Sequence, residues 1–118
     1  MSNDWSESIV IADLADEPVL SEELSSIGDR LSAKGAVVPS VVLNFANVTY
    51  VNSSNLAALL KIRKLLVEKK RGLRLCSLSE DVQSVMSVTG LDKIFRYAPD
   101  PMTALAALQI EDENRSGD

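Results

Sequence analysis

Two neighbouring hydroxyls are the groups in this chain best placed to do chemistry. They belong to Ser53 and Ser54 in the run Asn52-Ser53-Ser54-Asn55. An apolar stretch, residues 41–45, leads into that run, and a leucine-rich stretch follows it. The pattern is a strand, a polar turn and the start of a helix. A helix N-terminus carries unpaired N–H groups and the positive end of the dipole, so it favours negative charge. A phosphate on either serine would add about 1.5–2 negative charges where they are well accommodated. A plainer reading makes Asn52 the N-cap and the serines ordinary first-turn residues. The residues alone leave both open.

Other chemistries are harder to build. The chain has no histidine, which removes the usual general base and the commonest metal ligand. Enzyme readings narrow to carboxylate, lysine or serine chemistry. No catalytic residue, metal site or cofactor is assigned. Cys76 is the single cysteine, so no intramolecular disulfide can form. It reads as a small core residue, with a redox role as the alternative, and fits a reducing compartment. Asp13, Asp16 and Glu17 resemble a Mg²⁺ cluster in composition, but carboxylates in a connector are usually solvated. The scattered glycines form no phosphate loop.

Net charge is −5, which disfavours nucleic acid as a partner. The charge is uneven. Eight of the 17 acidic residues lie before Arg30 and none between Arg30 and Val67, while seven of the 12 basic ones lie between Lys61 and Arg74. Lys61, Arg63, Lys64, Lys69, Lys70 and Arg71 read as a solvated helix face, or as a patch that steers an acidic partner.

The elements that position the serines follow from length and periodicity. The chain has 118 residues, enough for one domain with one core. Aromatics are only 4%, so Leu, Val, Ile and Ala must fill that core. Residues 1–7 read as a flexible leader, without the basic and apolar regions of a signal peptide. Residues 8–12 read as a strand and 13–18 as a connector. A helix capped by Ser21 carries Leu24, Ile27 and Leu31 on one face and ends near Lys34-Gly35. Residues 41–45 read as a strand buried on both faces. The helix after the serine turn ends at Gly72, and residues 73–76 form a short strand. Ser79 caps a helix that Gly90 closes. Leu91, Ile94 and Phe95 make an apolar patch, a short turn and a strand. A last helix starts at Asp100 or Pro101, with Leu105 and Leu108 facing inward. Residues 111–118 read as a disordered acidic tail. The alternation predicts an α/β fold with a mostly parallel sheet of about four strands, flanked by about four helices. No apolar run is long enough to span a membrane. A soluble, cytoplasmic protein is expected.

Residues 41–60 resemble the STAS family, and more narrowly its bacterial anti-sigma-factor antagonists. So do Gly72-Leu73-Arg74-Leu75 and the run from Val85-Met86 through Thr89-Gly90-Leu91 to Ile94-Phe95. The resemblance covers roughly residues 8–109 and implies a domain of residues 8–110. That family has an apolar strand, an Asp-Ser-Ser/Thr-Gly turn, a Leu-rich helix and a later Ser/Thr-Gly-Leu segment. It implies a non-enzymatic domain that binds an anti-sigma factor with serine kinase activity, with a phosphatase to reset it. The family's phosphoacceptor falls on Ser53, with Ser54 second. The implied partner surface is Asn52, Ser53, Ser54, Asn55, Leu56 and Lys61. Three positions depart from the pattern. Asn52 replaces the family's Asp, Asn55 its Gly, and Asn44 an Asp often found in the preceding strand. Asn52 still caps but lacks the charge, which eases a phosphate and weakens kinase recognition. Asn55 adds bulk where a partner could approach a glycine. The opening hairpin is abbreviated. A STAS adaptor in a transporter or signalling scaffold, without phosphorylation, is the alternative.

Overall fold

The computed structural model describes residues 8–35 and 37–116. The leader expected at 1–7 lies outside the described residues. Along the chain come β1 (Ile9–Ala15), α1 (Val19–Ser32), β2 (Ser40–Asn47), α2 (Ser53–Glu68) and β3 (Leu73–Cys76). Then follow α3 (Glu80–Val88), a 3₁₀ turn (Leu91–Lys93), β4 (Tyr97–Ala98) and α4 (Pro101–Ser116). Among the described residues, the four strands form one sheet in the order β1-β2-β3-β4, with every neighbour parallel. Val41 pairs with Val10 and Leu73, and Leu43 with Ala12 and Leu75.

Side chains alternate across a strand, so each face of the sheet has its own core. Ala12, Leu14, Val41, Leu43, Phe45 and Leu75 point to one face. There they meet Leu24 and Ile27 of α1, Leu59, Ile62 and Leu66 of α2, and Val82 and Met86 of α3. Val42 and Cys76 point to the other face, where Ala104 and Leu108 of α4 cover them. The near-continuous apolar run of β2 is explained by this double burial. No described helix is long and apolar enough to cross a membrane.

Several boundaries differ from the sequence reading, each for a local reason. Strand β1 runs on to Ala15, because Asp13 and Ala15 still pair with Asn44 and Asn47. Helix α1 begins at Val19, and Ser21 is not its cap. The Ser21 N–H instead donates to the Glu17 carboxylate at 2.8 Å, so an acidic residue before the helix does the capping. The helix stops at Ser32, short of Lys34-Gly35. Helix α2 ends at Glu68, and Lys70, not Gly72, takes the left-handed turn with φ 59°. Gly72 serves packing: a Cβ there would lie 2.5 Å from Leu108 Cδ2. The stretch 111–118 is not a disordered tail through Ser116, because α4 continues to that residue. Glu111 pairs with the buried Arg74, and Asp112 with Arg71 at 3.1 Å, which holds the acidic end of α4 to the sheet. Leu108 faces inward as expected, while Leu105 is only half-buried and Ala104 takes the buried position.

Candidate functional site

The serine turn sits at the carboxyl edge of the parallel sheet, where open α/β sheets place their ligand and partner sites. β2 brings the chain to Asn47, and Val48 and Val51 of the following loop are buried in the core. Asn52 is the N-cap of α2, in extended conformation. Its side-chain oxygen accepts the Asn55 N–H at 2.9 Å, and Asn55 Oδ1 accepts the Asn52 N–H at 2.9 Å. This reciprocal capping box satisfies two otherwise orphaned donors. It also leaves the first two positions of the helix, Ser53 and Ser54, exposed.

The six residues expected at the partner surface do not share one role. Ser53, Ser54 and Lys61 are exposed, and Asn52 and Leu56 are half-buried. Asn55 is 1% exposed, so it offers no bulk to a partner. Its amide is used inside the protein: Nδ2 donates to Glu17 Oε2 at 3.0 Å and to Ser21 Oγ at 3.4 Å. A shallow groove runs between α1 and α2, lined by Ser21, Ser25, Gly28, Ser54, Ala58 and Lys61. A wider, separate groove lies against α3 and β4, with Gln83, Ser84, Ser87, Asp92 and Tyr97 on its walls.

The carboxylates of the β1–α1 junction were the part of the site hidden in the sequence. They do not converge. Asp13 accepts from Asn44 Nδ2 at 2.9 Å, and Asp16 accepts the Thr49 N–H and hydroxyl, both at 2.8 Å. Glu17 accepts from Ser21 and Asn55, and from Asn52 Nδ2 at 3.5 Å. Thr49's backbone and hydroxyl lower the Asp16 pKa. Ser21's hydroxyl, Asn55 and the Ser21 backbone, in that order, pull Glu17 down to about 2. Glu17 therefore belongs to the serine turn, although 35 residues separate it from Asn52. One signal for it was available: a turn rich in amide donors and without an acidic residue needs an acceptor from elsewhere.

The basic stripe also divides. Arg71 donates to the Ser8 carbonyl at 2.8 Å as well as to Asp112, and Arg63 Nε donates to the Ile94 carbonyl at 3.2 Å. Lys61 and Lys64 stay exposed. Cys76 is buried, and burial pushes its thiol pKa up, as suits a core residue.

Comparison with solved structures gives the same architecture several times. A candidate anti-sigma factor antagonist from Thermotoga maritima superimposes with a TM-score of 0.74 at 20% identity, over 92% of this chain and 93% of that one. An anti-sigma-factor antagonist (STAS) domain protein from Planctomyces limnophilus gives 0.71 at 20% identity, over 92% and 95%. The Bacillus cell fate determinant SpoIIAA in its phosphorylated form gives 0.58 at 20% identity, over 79% and 85%. At these identities the likeness is one of fold. No curated protein matches the sequence. The family model described as STAS domain matches residues 7–104, most of the chain. On that match and this fold, the chain belongs to the STAS domain family.

Proposed function

We propose that the chain is an anti-sigma-factor antagonist, a binding switch and not an enzyme. In its unmodified state it binds an anti-sigma factor with serine kinase activity through Asn52, Ser53, Ser54, Leu56 and Lys61. That capture frees a sigma factor for transcription. The partner supplies ATP and phosphorylates Ser53, with Ser54 the second choice, which ends the complex. A phosphatase resets it. This reading puts the protein in the cytoplasm.

One observation carries it. Ser53 and Ser54 are exposed at the N-terminus of α2, on the carboxyl edge of a fold shared with proteins described as anti-sigma factor antagonists. One of the similar structures was solved phosphorylated. The test is affinity capture from the native cell, then incubation of the captured kinase with the chain and ATP and mapping of the phosphopeptide. Label is expected on Ser53, and Ser53→Glu is expected to lose capture. An active kinase that leaves Ser53 unlabelled refutes the switch. The neutral Asn52, in place of the family's Asp, favours a second reading as an adaptor in a transporter or signalling scaffold. Co-purification with a transport ATPase, and no serine kinase, would select that one.

A further inference from the structure

Glu17 joins the N-termini of two helices. Its carboxylate accepts the Ser21 N–H, a donor of the first turn of α1 that has no partner within the helix. It accepts the Ser21 hydroxyl as well. The same Oε2 that accepts the Ser21 hydroxyl also takes the side-chain amides of Asn55 at 3.0 Å and Asn52 at 3.5 Å. Those two amides form the capping box of α2. The run Asn52-Ser53-Ser54-Asn55 contains no acidic residue, so Glu17 brings a negative charge to it from a different element. The donors that hold Glu17 are all neutral.

We propose that Glu17 is the positioning residue that couples charge on the Asn52–Asn55 turn to helix α1. It supplies the anion that the turn itself lacks. A second anion placed there, such as a phosphate on Ser53, repels the Glu17 carboxylate, frees the Ser21 N–H and loosens the first turn of α1. Modification of the turn then alters both walls of the α1–α2 groove, because Ser21 and Ser54 line it together. The coupling deepens the regulatory reading of the turn and rests on it for its biological meaning. Its test uses the isolated chain, so the absence of a kinase partner would not affect the result.

The first arm is a charge cycle between positions 17 and 52. Asn52→Asp places a carboxylate where an amide nitrogen now lies 3.5 Å from Glu17 Oε2. Asp and Asn are equally good N-caps, and Asp gains from the helix dipole. Away from Glu17 the substitution is therefore neutral or favourable. Expected is a fall in Tm of about 5 °C or more for N52D in the wild-type background, and no fall in Glu17→Gln. The difference should shrink in 1 M salt, on the order of the screening there. The second arm installs phosphoserine at position 53 by genetic-code expansion and follows the Ser21 amide by NMR. The Ser21 amide should shift and exchange about tenfold faster in wild type, and respond much less in E17Q. Equal N52D effects in the two backgrounds overturn the proposal. So does a Ser21 amide indifferent to phosphoserine, or one that responds alike with Glu17 and with Gln.

Discussion

Asn55 buries an amide that is hydrogen-bonded at both ends. Oδ1 accepts the Asn52 N–H, and Nδ2 serves Glu17 and Ser21. Removing a partner from a buried network costs more than the net worth of the bonds, because the groups left behind lose their desolvation compensation. Asn55→Ala should cost about 1–3 kcal/mol in urea unfolding, with an unchanged m-value. Asn55→Gly, the residue of the family pattern, should fall the same way. Glu17 adds a pH signature. Its carboxyl is lowered from 4.5 to about 2, so the folded state binds the proton less tightly than the unfolded chain. The stability this contributes is complete above the unfolded value and is lost as pH falls towards the folded one. The gap in urea midpoint between wild type and E17Q should therefore close as pH drops from about 5 to about 2. Asp16 and Asp100, also lowered, leave a residual acid dependence in E17Q that Asp16→Asn should reduce.

At the scale of elements, the strands and helices were legible because hydrophobic periodicity is local. The buried run of β2 and the 3–4 spacing of Leu24, Ile27 and Leu31 need only their own neighbours in sequence. The far end of α4 was not legible. Residues 111–116 look polar and unstructured until Arg71 and Arg74, some forty positions earlier, arrive beside Glu111 and Asp112. Ser40 Oγ adds a bond to Asp112 at 3.3 Å. The apolar contact of α4 is small, resting on Ala104 and Leu108 over Val42 and Cys76. A helix held this way opens below the free energy of global unfolding. Cys76, the single cysteine, is buried beneath it and reports the opening. Glu111→Gln with Asp112→Asn should speed labelling of Cys76 by a thiol reagent about tenfold, or ~1.4 kcal/mol. Labelling should also depend on urea less steeply than global unfolding does. Identical urea slopes would show that α4 leaves only when everything unfolds.

The whole molecule sorts charges that the sequence merely segregates. A sequential parallel order puts the connecting helices on one face, so acidic α1 packs beside basic α2. Six cations read as one stripe in the sequence. Contacts distant in sequence then claim Arg63 and Arg71 for structure and leave Lys61 and Lys64 in solvent. No periodicity within α2 could have told these cations apart, just as none could have attached Glu17 to Asn52. Lys64 lies eleven residues beyond Ser53, about three turns on and back to nearly the same face, roughly 16 Å along the axis. Charge at that range steers encounter more than it strengthens the final complex. Lys64→Glu should therefore slow association with the proposed anti-sigma partner by about threefold at low salt and leave dissociation nearly unchanged. The two association rates should converge as salt shortens the screening length to about 3 Å at 1 M. Tm should move little, since exposed charges contribute at most about 1 kcal/mol to stability. A deficit that persists at high salt would mean that Lys64 touches the partner directly.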